Sequence, residues 1–129
     1  MPVKQALSRL DPWAPPLALM AVIFVLSAQP DLNSGLGVVD LVGRKFVHAG
    51  EYALLCFLWW RALRGVLRER RAPLVALVIA FAYACTDEFH QTFIHGRHGT
   101  PVDVAIDMVG AVSVTIALRR REARARGRG

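Results

Sequence analysis

The chain has 129 residues, 54% of them hydrophobic, and 16 Lys and Arg against 10 Asp and Glu give a formal net charge of +6. That size and composition fit one domain and exclude a disordered or fibrous chain. The two cysteines, Cys56 and Cys85, sit inside apolar sequence and read as small core residues rather than as a disulfide or a metal pair.

Along the chain the apolar residues gather into four runs, Trp13 to Ala28, Phe46 to Trp60, Ala72 to Thr86 and Val102 to Leu118. Each is near the lower end of the ~17–25 residues that a helix needs to cross a bilayer, so each must borrow flanking residues. The sequence predicts an all-α fold, a membrane-embedded bundle of four transmembrane helices over about 13–30, 44–62, 72–95 and 101–119, with 119–129 a basic tail. The alternative is a soluble bundle with its helices buried all round, for which so short a chain supplies little outer shell.

Charge placement sets the orientation. Met1 to Pro12 sums to +1, Arg61 to Ala72 to +4 and Arg119 to Gly129 to +5, whereas Gln29 to Lys45 sums to zero and Asp87 to Asp103 holds only Arg97 against three acids. Both termini and the middle loop are therefore expected in the cytoplasm. The tail "RRREARARGRG" then reads as a topological signal and a patch for anionic lipid, not as a nucleic-acid arm. At the N-terminus, Lys4 and Arg9 before "LALMAVIFVL" and "SAQ" also fit a cleavable secretory signal. Leu26 is a poor residue two places before the small cleavage residue, and Trp13 sits where an interfacial anchor would, which favours retention.

With this topology, polar residues from separate segments fall on one side of the membrane. His48, Glu51 and Tyr52 share a face near the outer end of the second predicted span. Glu88, Gln91 and His95 do so on the third if that helix continues past Thr86, with Asp87 beside them. Asp103 and Asp107 stand one turn apart at the start of the fourth. Ionisable groups at such depth are costly unless paired, hydrated or neutralised, and normally face a bundle interior or a water-filled cavity. A shared pocket open to the outer face is expected. Structural pairing, such as His48 with Glu51, or Asp107 as buried polar glue, is the alternative for any single residue.

Between the third and fourth spans, "HGRHGTP" sets Arg97 among glycines that permit tight turns. Thr100, Pro101 and Asp103 read as a helix start. Arg97 beside that start suits a lipid phosphate, or alternatively pairs with Asp87, Glu88 or Asp103.

These features resemble the VanZ-like family, small bacterial membrane proteins named for one associated with resistance to the glycopeptide teicoplanin. "FVLSAQPDL" is similar to the family's Ser-x-Gln-Pro ending, and Lys45, His48 and Tyr52 match its Lys-x-x-His-x-x-x-Tyr pattern. "DEFHQTFIHGRHGTPVDVAIDMVGA" places Asp87, Glu88, Gln91, Gly96, Arg97, Asp103, Asp107 and Gly110 on the family's Asp-Glu-x-x-Gln, Gly-Arg, Asp, polar and Gly positions. Arg44 replaces an acid common before the Lys, His95 a Pro common before Gly-Arg, and Asp107 a usual Asn. The resemblance implies a multi-pass protein of the bacterial cytoplasmic membrane that affects antibiotics or lipid-linked cell-wall material at the outer face. It carries over no agreed reaction.

Three classes of function remain open. In the first, a lipid-phosphate hydrolase, the catalytic candidates are His48, Glu51, Asp87, Glu88, His90 and Asp103. The candidates for binding substrate are Lys45, Tyr52, Gln91, His95, Arg97 and Asp107. Glu51, Asp87, Glu88, Asp103 and Asp107 are candidate ligands for a divalent cation, Mg²⁺ or Ca²⁺ on oxygen ligands alone and Mn²⁺ or Zn²⁺ with added histidines, although their spacing matches no dedicated metal motif. The second class binds the headgroup of a membrane lipid or lipid-linked cell-wall precursor without turnover. The third moves protons or ions through Glu51, Asp107 and His48. No nucleic-acid partner is expected, and oligomeric state is left open.

Overall fold

A computed structural model describes residues 2–27, 38–93 and 101–128. Among the described residues every regular element is a helix and there is no strand: α1 (Pro2–Leu10), α2 (Ala14–Ser27), α3 (Val38–Leu63), α4 (Ala72–Gln91) and α5 (Pro101–Gly127). Proline stands in the first turn of α4 and α5, where its missing N–H costs no helical bond and its fixed φ suits the helix. Three features extend the sequence reading. A short helix, α1, precedes the first apolar run, and α3 begins at Val38, well before the second run and its polar residues. In addition, α5 continues through the basic segment to Gly127, because its alanines and arginines are strong helix formers.

The core is the α3–α4–α5 triplet. Its most extensive contact joins α3 to α5, and α2 lies more loosely against α3 and α4. On α4, Ala72, Ala76, Ala80 and Ala84 form a fully buried stripe at every fourth residue, so neighbouring backbones can come close. α3 and α5 approach closely where a Cβ on Gly110 would overlap the Ala49 carbonyl group. Farther along, Cys56 Sγ and Thr115 Oγ1 meet at 3.5 Å. These pairings, with Lys45 against Asp103, advance together along both helices, so α3 and α5 run parallel with α4 antiparallel to them.

The distribution of polarity differs from that of a water-soluble bundle. Ser27, Asp87, Glu88, Gln91, Asp107 and Thr115 are buried, whereas Val22, Val25, Phe46, Val78, Phe89 and Val109 are among many large apolar residues left exposed. A broad apolar exterior of this kind marks a surface that belongs against another apolar phase. Two helices, Ala72–Gln91 and Pro101–Gly127, are long and apolar enough to cross a membrane. The 14-residue α2 is apolar but shorter, and the charges of α3 interrupt its apolar character. Together these features point to a bilayer as the surrounding medium.

The two ends of the bundle differ in chemistry. At one end Asp11 pairs with Arg61 at 3.5 Å, Trp13 packs edge-on against Trp59, and the Arg64 guanidinium lies over the Trp60 ring. Arg126 of α5 shares a cleft there with Arg68, Arg70 and Arg71 of the α3–α4 connection. The other end carries the buried carboxyls.

Candidate functional site

The acidic end is assembled from four helices. On α4, the face that carries the alanine stripe changes character after Ala84, and its next buried positions are Asp87, Glu88 and Gln91. Helical periodicity therefore aims these polar groups at the interior that the alanines line below.

Asp87 is the centre. Its Oδ2 accepts hydrogen bonds from Ser27 Oγ of α2 at 2.9 Å, from Tyr52 Oη of α3 at 3.4 Å and from Gln91 Nε2, one turn along α4, at 3.3 Å. One carboxylate oxygen thus ties α2, α3 and α4 together. Its other oxygen, Oδ1, is buried and accepts no hydrogen bond among the described residues, an uncommon condition for a polar atom in a protein interior. Just below, Tyr83 of α4 donates its hydroxyl to the Met20 carbonyl of α2.

Around this centre lie the remaining groups. Asp107 of α5 is buried and within electrostatic reach of Glu88, Asp87, Asp103 and Glu51. His48 Nδ1 lies 3.6 Å from Glu51 Oε2, both partly shielded. Toward the mouth, Lys45 Nζ of α3 lies 3.9 Å from Asp103 Oδ1 of α5, each side chain about one-third exposed. Polarity therefore grades from a solvated cation–carboxylate pair inward to a buried carboxylate node. Beneath it come the Gly110–Ala49 crossing and then the weakly polar Cys56–Thr115 contact.

Of the residues singled out in the sequence, Lys45, His48, Glu51, Tyr52, Asp87, Glu88, Gln91, Asp103 and Asp107 lie at this end of the bundle. His90 faces elsewhere: its ring stacks on Phe24 of α2 at 4.3 Å, and its buried Nδ1 has no hydrogen-bond partner among the described residues. His95 and Arg97 lie outside the described residues. Among the described residues, the candidate metal ligands Glu51, Asp87, Glu88, Asp103 and Asp107 do not form a group of three or more that could hold a metal ion. Ser27 is the contributor that the sequence reading missed as a site residue. It is the Ser of the Ser-x-Gln-Pro ending, and a polar residue closing an apolar helix was the available signal.

Beside the node, α4 and α5 line an open hollow of about 670 Å³, with Glu88 in a wall otherwise formed mostly by apolar groups.

In comparison with known proteins, the VanZ/LLP1 family model matches residues 12–120. No curated protein and no solved structure matches the chain.

Proposed function

The chain belongs to the VanZ/LLP1 family, and from that premise we propose that it crosses a bacterial cytoplasmic membrane four times and holds a lipid headgroup at the outer leaflet. Both termini are then cytoplasmic. The ligand is the phosphate headgroup of a membrane lipid or of a lipid-linked cell-wall precursor. The carrying observation is the convergence of polar groups from α2, α3, α4 and α5 around Asp87, at the end of the bundle opposite its arginine cluster. In a membrane, interior carboxyls of this number need hydration or a partner, and the positive-inside rule turns the arginine end toward the cytoplasm.

In this reading, Lys45 supplies a cationic contact to phosphate at the mouth, and Arg97, the phosphate ligand expected from the sequence, supplies a second. Hydrolysis of the phosphate ester would use the His48–Glu51 pair. His48 takes a proton from the attacking water as the new P–O bond forms and the ester P–O bond breaks, and the leaving oxygen is protonated from water at the mouth. Glu51 orients the imidazole and stabilises its cation. Retention without turnover is the second reading, favoured by Asp87 itself. Its Oδ2 is saturated by three structural hydrogen bonds, which is the situation of a keystone and not of a proton carrier. A proton pathway has less support: below Asp107 the buried residues include Ala111, Thr115, Cys56 and Leu118, and among the described residues none of those buried there is a carboxyl or an imidazole.

The test is purified protein in lipid, assayed for headgroup retention and for phosphate release from phospholipids and polyprenyl phosphates. Arg97→Ala is expected to weaken retention, and His48→Ala to abolish release while sparing retention. Wild-type retention by Arg97→Ala together with Lys45→Ala would sink the pocket assignment. Tight retention with no release by the wild type would leave the binding role alone. Greater glycopeptide susceptibility on deletion, restored by wild type and not by Arg97→Ala, would connect the pocket to the cell wall.

A further inference from the structure

The hollow between α4 and α5 is unlike the rest of the molecule's exterior. Cys85, Glu88 and Phe89 of α4 and Val104, Ala105 and Met108 of α5 line it, and its volume is about 670 Å³. Within this apolar frame Glu88 is about nine-tenths buried, and it lies within electrostatic reach of Asp107 in the polar interior. Glu88 is therefore a wall common to two compartments, the headgroup pocket and the hollow. Phe81 and Phe89, which also line the hollow, are apolar groups at least half exposed and belong to the surface that faces hydrocarbon. What reaches this hollow in a membrane is a lipid chain.

We infer that the ligand enters its pocket sideways from the bilayer, with one acyl or polyprenyl chain lying in the α4–α5 hollow and its headgroup turned inward past Glu88. The inference rests on the headgroup reading above and adds to it the route of delivery: the lipid is presented from within the leaflet, while the headgroup pocket itself also binds a free phosphate ester. Hydrophobicity alone does not drive the fit, because lipid tails are as apolar outside the hollow as in it. Selection comes from shape, through close contact along the concave wall, and from the tether of the headgroup at its end. The small side chain of Ala105 keeps the floor open, and Cys85, exposed where Cys56 is buried, provides a native thiol inside the hollow.

The experiment uses the full chain in vesicles of phosphatidylglycerol and phosphatidylethanolamine doped with a phospholipid bearing a photoreactive acyl chain. Labelled residues are mapped by mass spectrometry. Label is expected on Cys85, Ala105 and Met108 severalfold above that on Val22 and Leu54, which are exposed on α2 and α3. Ala105→Phe should remove the enrichment while leaving binding of soluble glycerophosphate unchanged. Even labelling over all five positions would overturn the inference, because it would mean ordinary annular lipid. So would efficient thiol cross-linking of two chains through Cys85 with loss of the label, because a second copy would then fill the hollow. Enriched label in a protein that binds no glycerophosphate would instead retain the hollow and discard the headgroup pocket.

Discussion

The two ends of the bundle use polar side chains in opposite ways. At the arginine end the charged groups stand outside the helices: Asp11 and Arg61 pair at 3.5 Å while largely exposed, and Arg64 rests on the face of Trp60. At the acidic end the polar groups stand inside, and Asp87 joins three helices through a single oxygen. A surface pair in water is screened and contributes little. An interior node must be satisfied geometrically, and it fixes how its helices sit. The difference teaches that the same residue types anchor the chain at one end and define its internal architecture at the other.

The comparison can be broken most forcefully at Gly110. A Cβ there would overlap the Ala49 backbone, and backbone cannot be displaced as a flexible side chain can. Gly110→Val is expected to cost about 3 kcal/mol or more, seen as loss of folded protein in detergent-denaturant titration. Gly50→Ala, with nothing within 4 Å of the added methyl, is the matched control. A stable Gly110→Val protein would mean that α3 and α5 do not cross there.

Next in size is Asp87→Ala, which strands the donors of Ser27, Tyr52 and Gln91. The bonds to Ser27 and Tyr52 are interhelical, and such bonds in membranes contribute about 0.6 kcal/mol each, with individual values up to about 1.7, so with the Gln91 bond inside α4 a loss of about 1–2 kcal/mol is expected in the same titration. Tyr52→Phe removes one donor and should cost about 1 kcal/mol or less. Asp87→Ala and Tyr52→Phe combined should then cost less than the sum of the two, because they share a bond. Smallest of all, Asp11→Asn at the arginine end should change stability by less than about 0.5 kcal/mol. A larger loss there than at Tyr52 would reverse the comparison of the two ends.

The all-helical class and the family were legible in the sequence, because four long apolar runs and a specific polar spacing survive in any reading of the chain. That polar residues from distant segments share one end was expected from helical periodicity and charge placement, whereas the pairs Lys45–Asp103 and Tyr52–Asp87 were not part of that expectation. What was not legible was which group each residue addresses. Periodicity gives a face, and a face spans several neighbours. His90 sits in the same polar cluster of the sequence, yet two residues past Glu88 it stands about half a turn round the helix from that carboxyl. Its ring lies on Phe24 of α2, a partner that no spacing within α4 could name. Asp87 reads in sequence like any other acid of the set, and only the arrival of Ser27 and Tyr52 from other helices makes it the node. The short α1 and the continuation of α5 to Gly127 were missed because a search for apolar runs passes over helices made of polar residues.

The parallel contact of α3 with α5 has a consequence for biogenesis. These helices are separated in the chain by the whole of α4, so the Gly110–Ala49 crossing cannot close until α5 has been synthesised. Nascent intermediates holding α2, α3 and α4 would carry Asp87 with its donors but lack Asp103 and Asp107. The acidic end is thus completed in the final step of assembly, and a chain stopped before α5 would leave its buried carboxyls without the helix that packs against α3 and α4.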